Sequence, residues 1–252
     1  MTDIADAHTQ QLSLKSKRAV ITGGTTGIGR AIAVLLAAEG AKVFICGRDE
    51  QHLADALARI REVGEGDGIA TDLAEPDNVK AFVDAGTRWL GGLDIAVVNA
   101  AIAAEGLSDM SERDMRYAIA TDFTAYLLTA HAAATALVDR GDIVLIGSMS
   151  AHVLGPGSTV YAGIKYGIQG FGEALRRELG PKGIRVANVE PGKTGSDMQS
   201  PDISPEEQRE RIGKDEMLRA EDIAVGVHYL LTQPRRAVVQ QLTITPRAVG
   251  EE

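Results

Sequence analysis

The chain has 252 residues, of which 44% are hydrophobic and 24% are charged, and this composition is typical of a folded globular protein. Its formal charge of -9 at pH 7 predicts no nucleic-acid partner and no binding to anionic membrane surfaces. The apolar stretch 31–38 is far shorter than the roughly 20 residues of a membrane span, and the acidic first residues do not resemble a secretory signal. The only cysteine, Cys46, cannot form an internal disulfide, so we expect a cytoplasmic protein.

Short β-prone runs alternate with helical patterns along the chain. Because each crossover returns the chain to the same sheet, this alternation predicts an α/β fold with one doubly wound parallel sheet of about seven strands and helices on both faces. The predicted strands are 18–22, 42–46, 68–71, 93–98, 142–147, 184–189 and 238–244, and the predicted helices are 28–39, 49–63, 75–90, 111–138, 159–179 and 219–231.

A glycine-rich turn, Thr22-Gly-Gly-Thr-Thr-Gly-Ile-Gly29, separates the first strand from the first helix. Glycines at such a turn let the backbone approach a pyrophosphate, whose charge the free N–H groups of the helix start can bind. The alternative is a tight turn with no ligand. The position at the first strand of an alternating chain favours dinucleotide binding, with six predicted ligand residues: Gly23, Thr25, Thr26, Gly27, Ile28 and Gly29.

The second strand ends in Cys46-Gly47-Arg48, where the adenosine ribose is expected. A carboxylate there would select NAD, whereas an arginine can pair with the 2′-phosphate of NADP, so Arg48 favours NADP(H) over NAD(H). Arg48 could instead be a solvated residue that opens the next helix. Asp72, after the third strand, could accept a hydrogen bond from the adenine amino group or cap the following helix.

Ser148, Tyr161 and Lys165 form the most specific constellation. The spacing of Tyr161 and Lys165 puts a phenol and an ammonium on one helical face. A neighbouring cation stabilises the phenolate that forms when the phenol gives up its proton. Ser148 follows the fifth strand at the carboxyl edge of the sheet, where its hydroxyl could bind a substrate oxygen. Each residue alone could be ordinary packing or surface, but together with the glycine turn they indicate a catalytic site.

No stretch of the sequence divides the chain. We predict one dinucleotide-binding and catalytic domain over 14–252, preceded by an N-terminal extension over 1–13. The charge-rich segment 193–217 is too long for a simple connection and is predicted to be a substrate lid. The five histidines lack metal-ligand spacing, so no metal site is expected. His152, four residues after Ser148, could face the substrate, but a solvated loop side chain is the favoured interpretation.

These motifs resemble those of the classical short-chain dehydrogenase/reductase family over about residues 14–244. The resemblance implies a Rossmann-like fold and an NAD(P)(H) oxidoreductase that acts on an alcohol or a carbonyl. It implies that Tyr161 gives or takes the proton, that Lys165 binds the nicotinamide ribose and that Ser148 orients the substrate oxygen. The further motif residues at the nucleotide pocket are Leu73, Asn99, Ala100 and Ala101, and those on the nicotinamide side are Pro191, Gly192, Thr194 and Ser196.

The sequence departs from the family pattern at two places. Asp122 stands where the family usually carries an asparagine, which fixes a backbone bend and a water leading to the lysine. An aspartate keeps the shape but lacks the amide donor, so Asp122 is a candidate catalytic residue whose part in the proton relay is open. Ala101 replaces the usual glycine of Asn-Ala-Gly and adds one methyl group beside the cofactor.

The sequence therefore predicts an NADP(H)-dependent oxidoreductase that interconverts a secondary alcohol and a ketone or aldehyde, with a small-molecule substrate. A nucleotide-binding regulator on an inactive reductase fold is the alternative, although it would be expected to lose Ser148, Tyr161 or Lys165. A dehalogenase or lyase on this fold would not need the dinucleotide turn. The segment 231–246 resembles that of a branch that reduces small aldehydes, ketones or hydroxy acids.

The resemblance also implies a homodimer or homotetramer, paired through the fourth and fifth helices. Small residues on those helices would allow two copies to approach closely, and they would equally suit packing on the protein's own sheet. These residues are Ala130, Ala132, Ala133, Ala134 and Ala136 on the fourth helix and Gly163, Gly167, Gly170 and Gly172 on the fifth.

Overall fold

A computed structural model describes residues 11–137, 140–195 and 203–248. It contains a seven-stranded sheet in the order β3-β2-β1-β4-β5-β6-β7, with every neighbouring pair parallel. The predicted doubly wound α/β fold is therefore confirmed. The strands are β1 Arg18–Ile21, β2 Lys42–Gly47, β3 Glu65–Ala70, β4 Ile95–Val98, β5 Gly141–Ile146, β6 Ile184–Pro191 and β7 Gln241–Ile244.

Helices cover both faces of the sheet. Alternate residues of each strand point to opposite faces, so Ile21 packs against the helices of one face and Val20 against those of the other. The first face is covered by α1 Gly27–Ala38, α2 Glu50–Val63 and α8 Ala220–Leu231. The second is covered by α3 Pro76–Leu90, α4 Glu112–Ile119, α5 Ala125–Ala136 and α6 Thr159–Leu179. Burial on both faces explains why the central strands are almost entirely apolar.

The register of the strands brings the candidate site residues to one edge. Ile21 of β1 pairs with Ile45 of β2 and with Val97 of β4, so the chain leaves these three strands side by side. Ile146 of β5 pairs with Val189 of β6, which places the residues after both strands next to each other. Since β1 lies between β2 and β4, this edge contains the switch point where ligands bind in open parallel sheets.

The structure corrects the predicted helix 111–138. It consists of α4 and α5 joined by a π-helical turn, Ala120–Thr124, while residue 138 lies outside the described part of the chain. A π turn inserts one residue without disturbing the apolar pattern enough to be recognised in the sequence. Because Thr121 and Asp122 are buried in this turn, it belongs to the interior of the protein.

Other elements also differ from their predicted bounds, and strand β7 begins at Gln241 and not at residue 238. Strand β3 begins at Glu65 and not at residue 68, because Gly66 and Asp67 pair with β2 despite their low strand propensity. Within the predicted lid, the structure shows helix α7, Pro205–Gly213, and a β-bridge between Thr194 and Leu218. Residues 196–202 of that segment lie outside the described residues.

Candidate active site

The glycine turn forms a backbone cradle between β1 and α1. Gly23 and Gly27 have φ angles of 62° and 51°, in the left-handed region that favours glycine. A β-carbon at Gly29 would overlap the carbonyl oxygen of Gly23, so α1 can lie this close to the turn only without a side chain there. Thr26, the N-cap residue of α1, makes no side-chain capping bond, so its side chain satisfies none of the N–H groups that open the helix.

Hydrogen bonds from the Asn99 side chain hold the glycine turn in place. The side-chain amide of Asn99 donates to the carbonyl oxygens of Thr22 and Gly23, each at 3.1 Å. In return, the Thr22 hydroxyl accepts from the backbone N–H groups of Asn99 and Ala100, at 2.9 and 3.1 Å. Asn99 therefore acts on the shape of the cradle, as expected of a residue that supports the nucleotide pocket.

A cavity of about 1390 Å³ lies over the carboxyl ends of β1, β2, β3 and β4. Helix α7 contributes Gln208 and Ile212 to its wall, so the predicted lid faces the glycine turn across this space. A cavity of this size suits a large ligand. The predicted cofactor residues that line it are Gly23, Thr25, Thr26, Gly27, Ile28, Arg48, Asp72, Leu73, Asn99, Ala100 and Ala101.

Arg48 belongs to a chain of hydrogen bonds along the cavity wall. Its Nη1 donates to the hydroxyl oxygen of Tyr117 at 2.8 Å, and that hydroxyl donates to Oδ2 of Asp72 at 2.7 Å. The other Asp72 oxygen accepts from the N–H of Ala74 at 3.0 Å. Asp72 therefore forms a local turn but is not the N-cap of α3, which is Glu75.

Gly47 packs directly against the cofactor turn. A β-carbon at Gly47 would lie 2.5 Å from Cγ2 of Thr25, which is far closer than two carbon atoms can approach. Thr25 is itself buried, so it has little room to move aside. A side chain at the end of β2, including the carboxylate that would select NAD, would therefore require Thr25 to shift.

Ser148 and Tyr161 lie on either side of the β5–α6 connection. Ser148 is 3% exposed and caps a short 3₁₀ turn, Met149–Ala151, by accepting from the N–H of Ser150 at 3.1 Å. Its hydroxyl hydrogen has no acceptor among the residues described, so it is available to a ligand. Tyr161 lies in the first turn of α6 and is half-buried.

Lys165, one turn further along α6, is only 2% exposed. Its Nζ donates to the carbonyl oxygen of Ile146 at 3.3 Å and lies 5.5 Å from the ring centre of Tyr161. Burial alone would lower the pKa of this ammonium, but the neighbouring Tyr126, Tyr161 and Asp122 raise the pKa above its ordinary value. Lys165 therefore stays charged beside the Tyr161 ring.

Tyr126 supports Lys165 from the other side. Its hydroxyl donates to the same Ile146 oxygen at 3.0 Å, and its ring centre lies 5.3 Å from Nζ of Lys165. Complete burial raises the pKa of this phenol to about 12, so it stays neutral. The ammonium is thus held between two tyrosines at the end of β5.

Asp122 is completely buried in the π turn. Its Oδ1 accepts from the backbone N–H of Ile102 at 2.8 Å, so the turn is tied to the loop after β4. Oδ2 has no hydrogen-bond partner among the described residues. Burial raises the pKa of the carboxyl to about 6, and the Lys165 ammonium opposes that rise. The expected bend is present, while the acid replaces an amide in a position electrostatically coupled to Lys165.

The family model described as short chain dehydrogenase matches residues 17–207. The chain belongs to the short-chain dehydrogenase/reductase family. A short-chain dehydrogenase from Burkholderia cenocepacia J2315, solved in complex with NADP, is 34% identical, with a TM-score of 0.83 over 93% of this chain and 98% of that one. A blue fluorescent protein from a metagenomic library, solved in complex with NADPH, is 28% identical, with a TM-score of 0.82 over 93% and 98% of the two chains.

One curated relative carries a more specific name. The "Granaticin polyketide synthase putative ketoacyl reductase 1" of Streptomyces violaceoruber is 32% identical over 244 residues, which cover 88% of this chain and 89% of the relative. Membership of the short-chain dehydrogenase/reductase family identifies the protein as an oxidoreductase of this class.

The nicotinamide-side residues that the family pattern predicts form a second group. Pro191 ends β6, and Gly192 continues the sheet contact by donating to the carbonyl oxygen of Ile244 at 2.7 Å. The Thr194 hydroxyl donates to the Gly192 carbonyl at 2.9 Å. Among the described residues, neither these three nor the catalytic candidates Ser148, Tyr161 and Lys165 line the large cavity. Ser196 lies outside the described part of the chain.

Several residues of this candidate site were not predicted from the sequence. Tyr117, Tyr126 and Arg30 belong to no motif. Arg30 follows the glycine turn, lines the cavity and pairs with Asp55 of α2. His152 is an exposed loop residue, as predicted, but its Nε2 also lies 2.8 Å from the buried Glu190 carboxylate, a contact that the sequence did not indicate. These partners are far apart in the sequence, so no local pattern could have revealed the contacts.

The described residues contain neither a candidate metal cluster nor a membrane-spanning helix. Within the described ranges, no three histidine, cysteine, aspartate or glutamate side chains are grouped as a metal ion would require. No helix in those ranges is both long and apolar enough to cross a bilayer.

Proposed function

We propose that this protein is an NADP(H)-dependent oxidoreductase that interconverts a secondary alcohol and the corresponding ketone, or a primary alcohol and an aldehyde. The observation that carries the proposal is the buried Lys165 ammonium beside the Tyr161 ring, on the same sheet edge as an intact glycine cradle. Its family membership and the NADP-bound relative support the same conclusion.

The cavity fits a dinucleotide. The absent β-carbons at Gly23 and Gly29 leave a cradle that a side chain would fill, and the start of α1 offers N–H groups to a pyrophosphate. Thr25, Thr26, Gly27 and Ile28 would hold that end, and Asp72 and Leu73 would hold the adenosine end. When bound, the nicotinamide supplies or accepts the hydride.

The protein's own part is orientation and proton transfer. Tyr161 would give its proton to the carbonyl oxygen in reduction and take it back in oxidation, while the Lys165 ammonium stabilises the phenolate that forms. Ser148, with its hydroxyl hydrogen available, would donate to the same substrate oxygen. Because Ile146 and Tyr126 hold Lys165, the charge is in place before substrate binds.

Arg48 and Gly47 support a preference for NADP(H). Arg48 lines the cavity at the end of β2, where its guanidinium can bind a 2′-phosphate through two donors. A charge-assisted bond of this kind contributes about 1.5 kcal/mol or more, which corresponds to roughly a tenfold preference. We expect kcat/KM to be higher with NADPH by that factor, and Arg48→Ala to remove most of the difference. Equal values in the wild type would contradict the assignment.

The remaining proposals concern the oligomeric state, the domain organisation and the cellular location of the enzyme. Gly163 and Gly170 on α6 face open space, whereas Ala130, Ala133, Gly167 and Gly172 are used within the protein's own core. An α6 face with small residues supports a homodimer or homotetramer, which light scattering at micromolar concentration tests. We retain residues 14–252 as one domain with a lid around 193–217, and the cytoplasm as the expected location.

The direct test is oxidation of NADPH by the purified protein with a panel of ketones and aldehydes. We expect Tyr161→Phe to reduce the rate by about 100-fold or more with nearly unchanged NADPH affinity, because only the proton-transferring oxygen is removed. Tyr229→Phe, on the exposed side of α8, is the matched control and should keep the rate. Saturable NADPH binding without turnover of any carbonyl would favour the regulator instead.

A further inference from the structure

We propose that Tyr117 is a specificity-determining residue for the cofactor, because it positions Arg48 to recognise the 2′-phosphate. The inference rests on the proposed NADP(H) dependence and assigns part of it to a side chain outside the family motifs. Tyr117 lies on α4, and it joins Arg48 at the end of β2 to Asp72 after β3.

The Tyr117 hydroxyl donates to one neighbour and accepts from the other. A phenol has a single hydrogen, and Tyr117 donates it to Asp72 at 2.7 Å. The hydroxyl oxygen is then an acceptor, which suits a guanidinium that can only donate. Burial and the Asp72 carboxylate raise the pKa of Tyr117, so the phenol keeps its hydrogen at physiological pH.

Asp72, the last residue in this series of hydrogen bonds, is held in place by its neighbours. One carboxylate oxygen accepts from the N–H of Ala74, and the backbone carbonyl of Asp72 accepts from the Asn78 side chain at 2.9 Å. Since α4 carries Tyr117 on a regular helix and these bonds hold Asp72 in its turn, both residues of the phenol–carboxylate contact are fixed. Among the described residues, the Arg48 guanidinium hydrogen-bonds only to Tyr117, so its position depends on that phenol.

The phenol also keeps opposite charges apart. Without the Tyr117 hydroxyl, the Arg48 guanidinium and the Asp72 carboxylate would have no group between them, and they could pair directly with each other. With Tyr117 in place, Arg48 uses one of its five N–H donors, and the others have no partner among the described residues. Those donors are available to a phosphate at the cavity wall.

Binding of adenosine fragments tests this inference without requiring turnover. We would measure the affinities of 2′,5′-ADP and 5′-AMP by calorimetry for the wild type, Tyr117→Phe, Arg48→Ala and the double variant. We expect Tyr117→Phe to weaken 2′,5′-ADP by about fivefold to tenfold, the usual effect of one lost hydrogen bond, and to leave 5′-AMP within about twofold. In the Arg48→Ala background, the same change should have no further effect on either ligand.

Each other result would overturn the proposal. An equal loss for both ligands would mean that Tyr117 only shapes the adenine pocket, and a loss that persists without Arg48 would mean that it does not act through the guanidinium. If Tyr117→Phe leaves the ratio of the 2′,5′-ADP and 5′-AMP affinities unchanged, Tyr117 has no part in cofactor recognition. If the wild type does not prefer 2′,5′-ADP, the NADP(H) assignment itself fails, whereas absence of carbonyl reduction alone would leave these binding ratios unaffected. Tyr229→Phe serves as the matched loss of an exposed phenol hydroxyl.

Discussion

The imidazole Nε2 of His152 lies 2.8 Å from Oε2 of Glu190, a carboxylate that is only 1% exposed. His152 follows the 3₁₀ turn that Ser148 caps, and Glu190 directly precedes Pro191 at the end of β6. The same carboxylate oxygen accepts from Gln241 at 2.6 Å and from Thr243 at 3.3 Å. One buried acid thus connects the turn at Ser148 with the edge strand β7.

We expect His152→Ala to lower the free energy of unfolding by about 1–3 kcal/mol, because it leaves a buried carboxylate with one donor fewer. Combining it with Glu190→Gln should recover part of that loss, since the uncompensated charge is removed. A double-mutant cycle by urea denaturation measures the coupling, which should exceed about 0.5 kcal/mol. Strictly additive effects would show that the two residues are energetically independent.

The prediction for Lys165 follows from its two contacts. Lys165→Met keeps the apolar part of the side chain but removes the ammonium between Tyr126 and Tyr161. We expect a loss of both catalytic rate and NADPH affinity, because the lysine is proposed to stabilise the phenolate and to bind the nicotinamide ribose. Steady-state kinetics and a fluorescence titration of NADPH measure the two effects separately. Loss of only one of them would contradict the dual role.

Much of this site follows from sequence, and the exceptions have physical reasons. The glycine turn and the Tyr161–Lys165 spacing are local, so residue types alone place the turn between a strand and a helix and the tyrosine and lysine on one helical face. Arg48 and Tyr117 are 69 positions apart, and His152 and Glu190 are 38 apart. Contacts of that kind are set by strand order and helix packing, which a single sequence does not contain.

Asp122 makes stability depend on pH. Its pKa of about 6 in the folded protein lies above the ordinary value of 3.8, so folding disfavours the charged form. The cost is absent below about pH 4, grows as pH rises and levels off above about pH 6, at roughly 2–3 kcal/mol. We expect the stability of Asp122→Asn relative to the wild type, measured by urea unfolding, to increase by about 1 kcal/mol or more as the pH rises from 5 to 8. A pH-independent difference would contradict this origin.

The same variant tests the proton path. Asn at position 122 can still accept from the Ile102 N–H, and it supplies the amide donor that the family pattern contains. We therefore expect the carbonyl-reduction rate of Asp122→Asn at neutral pH to be equal to or higher than that of the wild type. A collapse of the rate with intact NADPH binding would mean that the carboxylate itself takes part in the reaction.

The last prediction concerns changing the cofactor preference. Introducing an acid at the end of β2 is the obvious route to NADH, because a carboxylate there binds the ribose 2′-hydroxyl. In this protein, the β-carbon of Gly47→Asp would overlap the Thr25 side chain within the glycine turn. Overpacking of this kind costs about 1–3 kcal/mol. We expect Gly47→Asp to lower the melting temperature and to weaken both NADPH and NADH.

Removing the obstruction should separate the steric effect from the electrostatic one. The three closest contacts of a β-carbon at Gly47 come from the side chain of Thr25, so Thr25→Gly combined with Gly47→Asp removes these overlaps. We expect this double variant to bind NADH more tightly than Gly47→Asp does and to reject NADPH, while Thr25→Gly alone keeps the NADPH preference. Fluorescence titrations of both cofactors measure this. If Gly47→Asp alone binds NADH more tightly than the wild type and has an unchanged melting temperature, the glycine turn can move aside at little cost. Thr25 would then not limit which side chain fits at the end of β2.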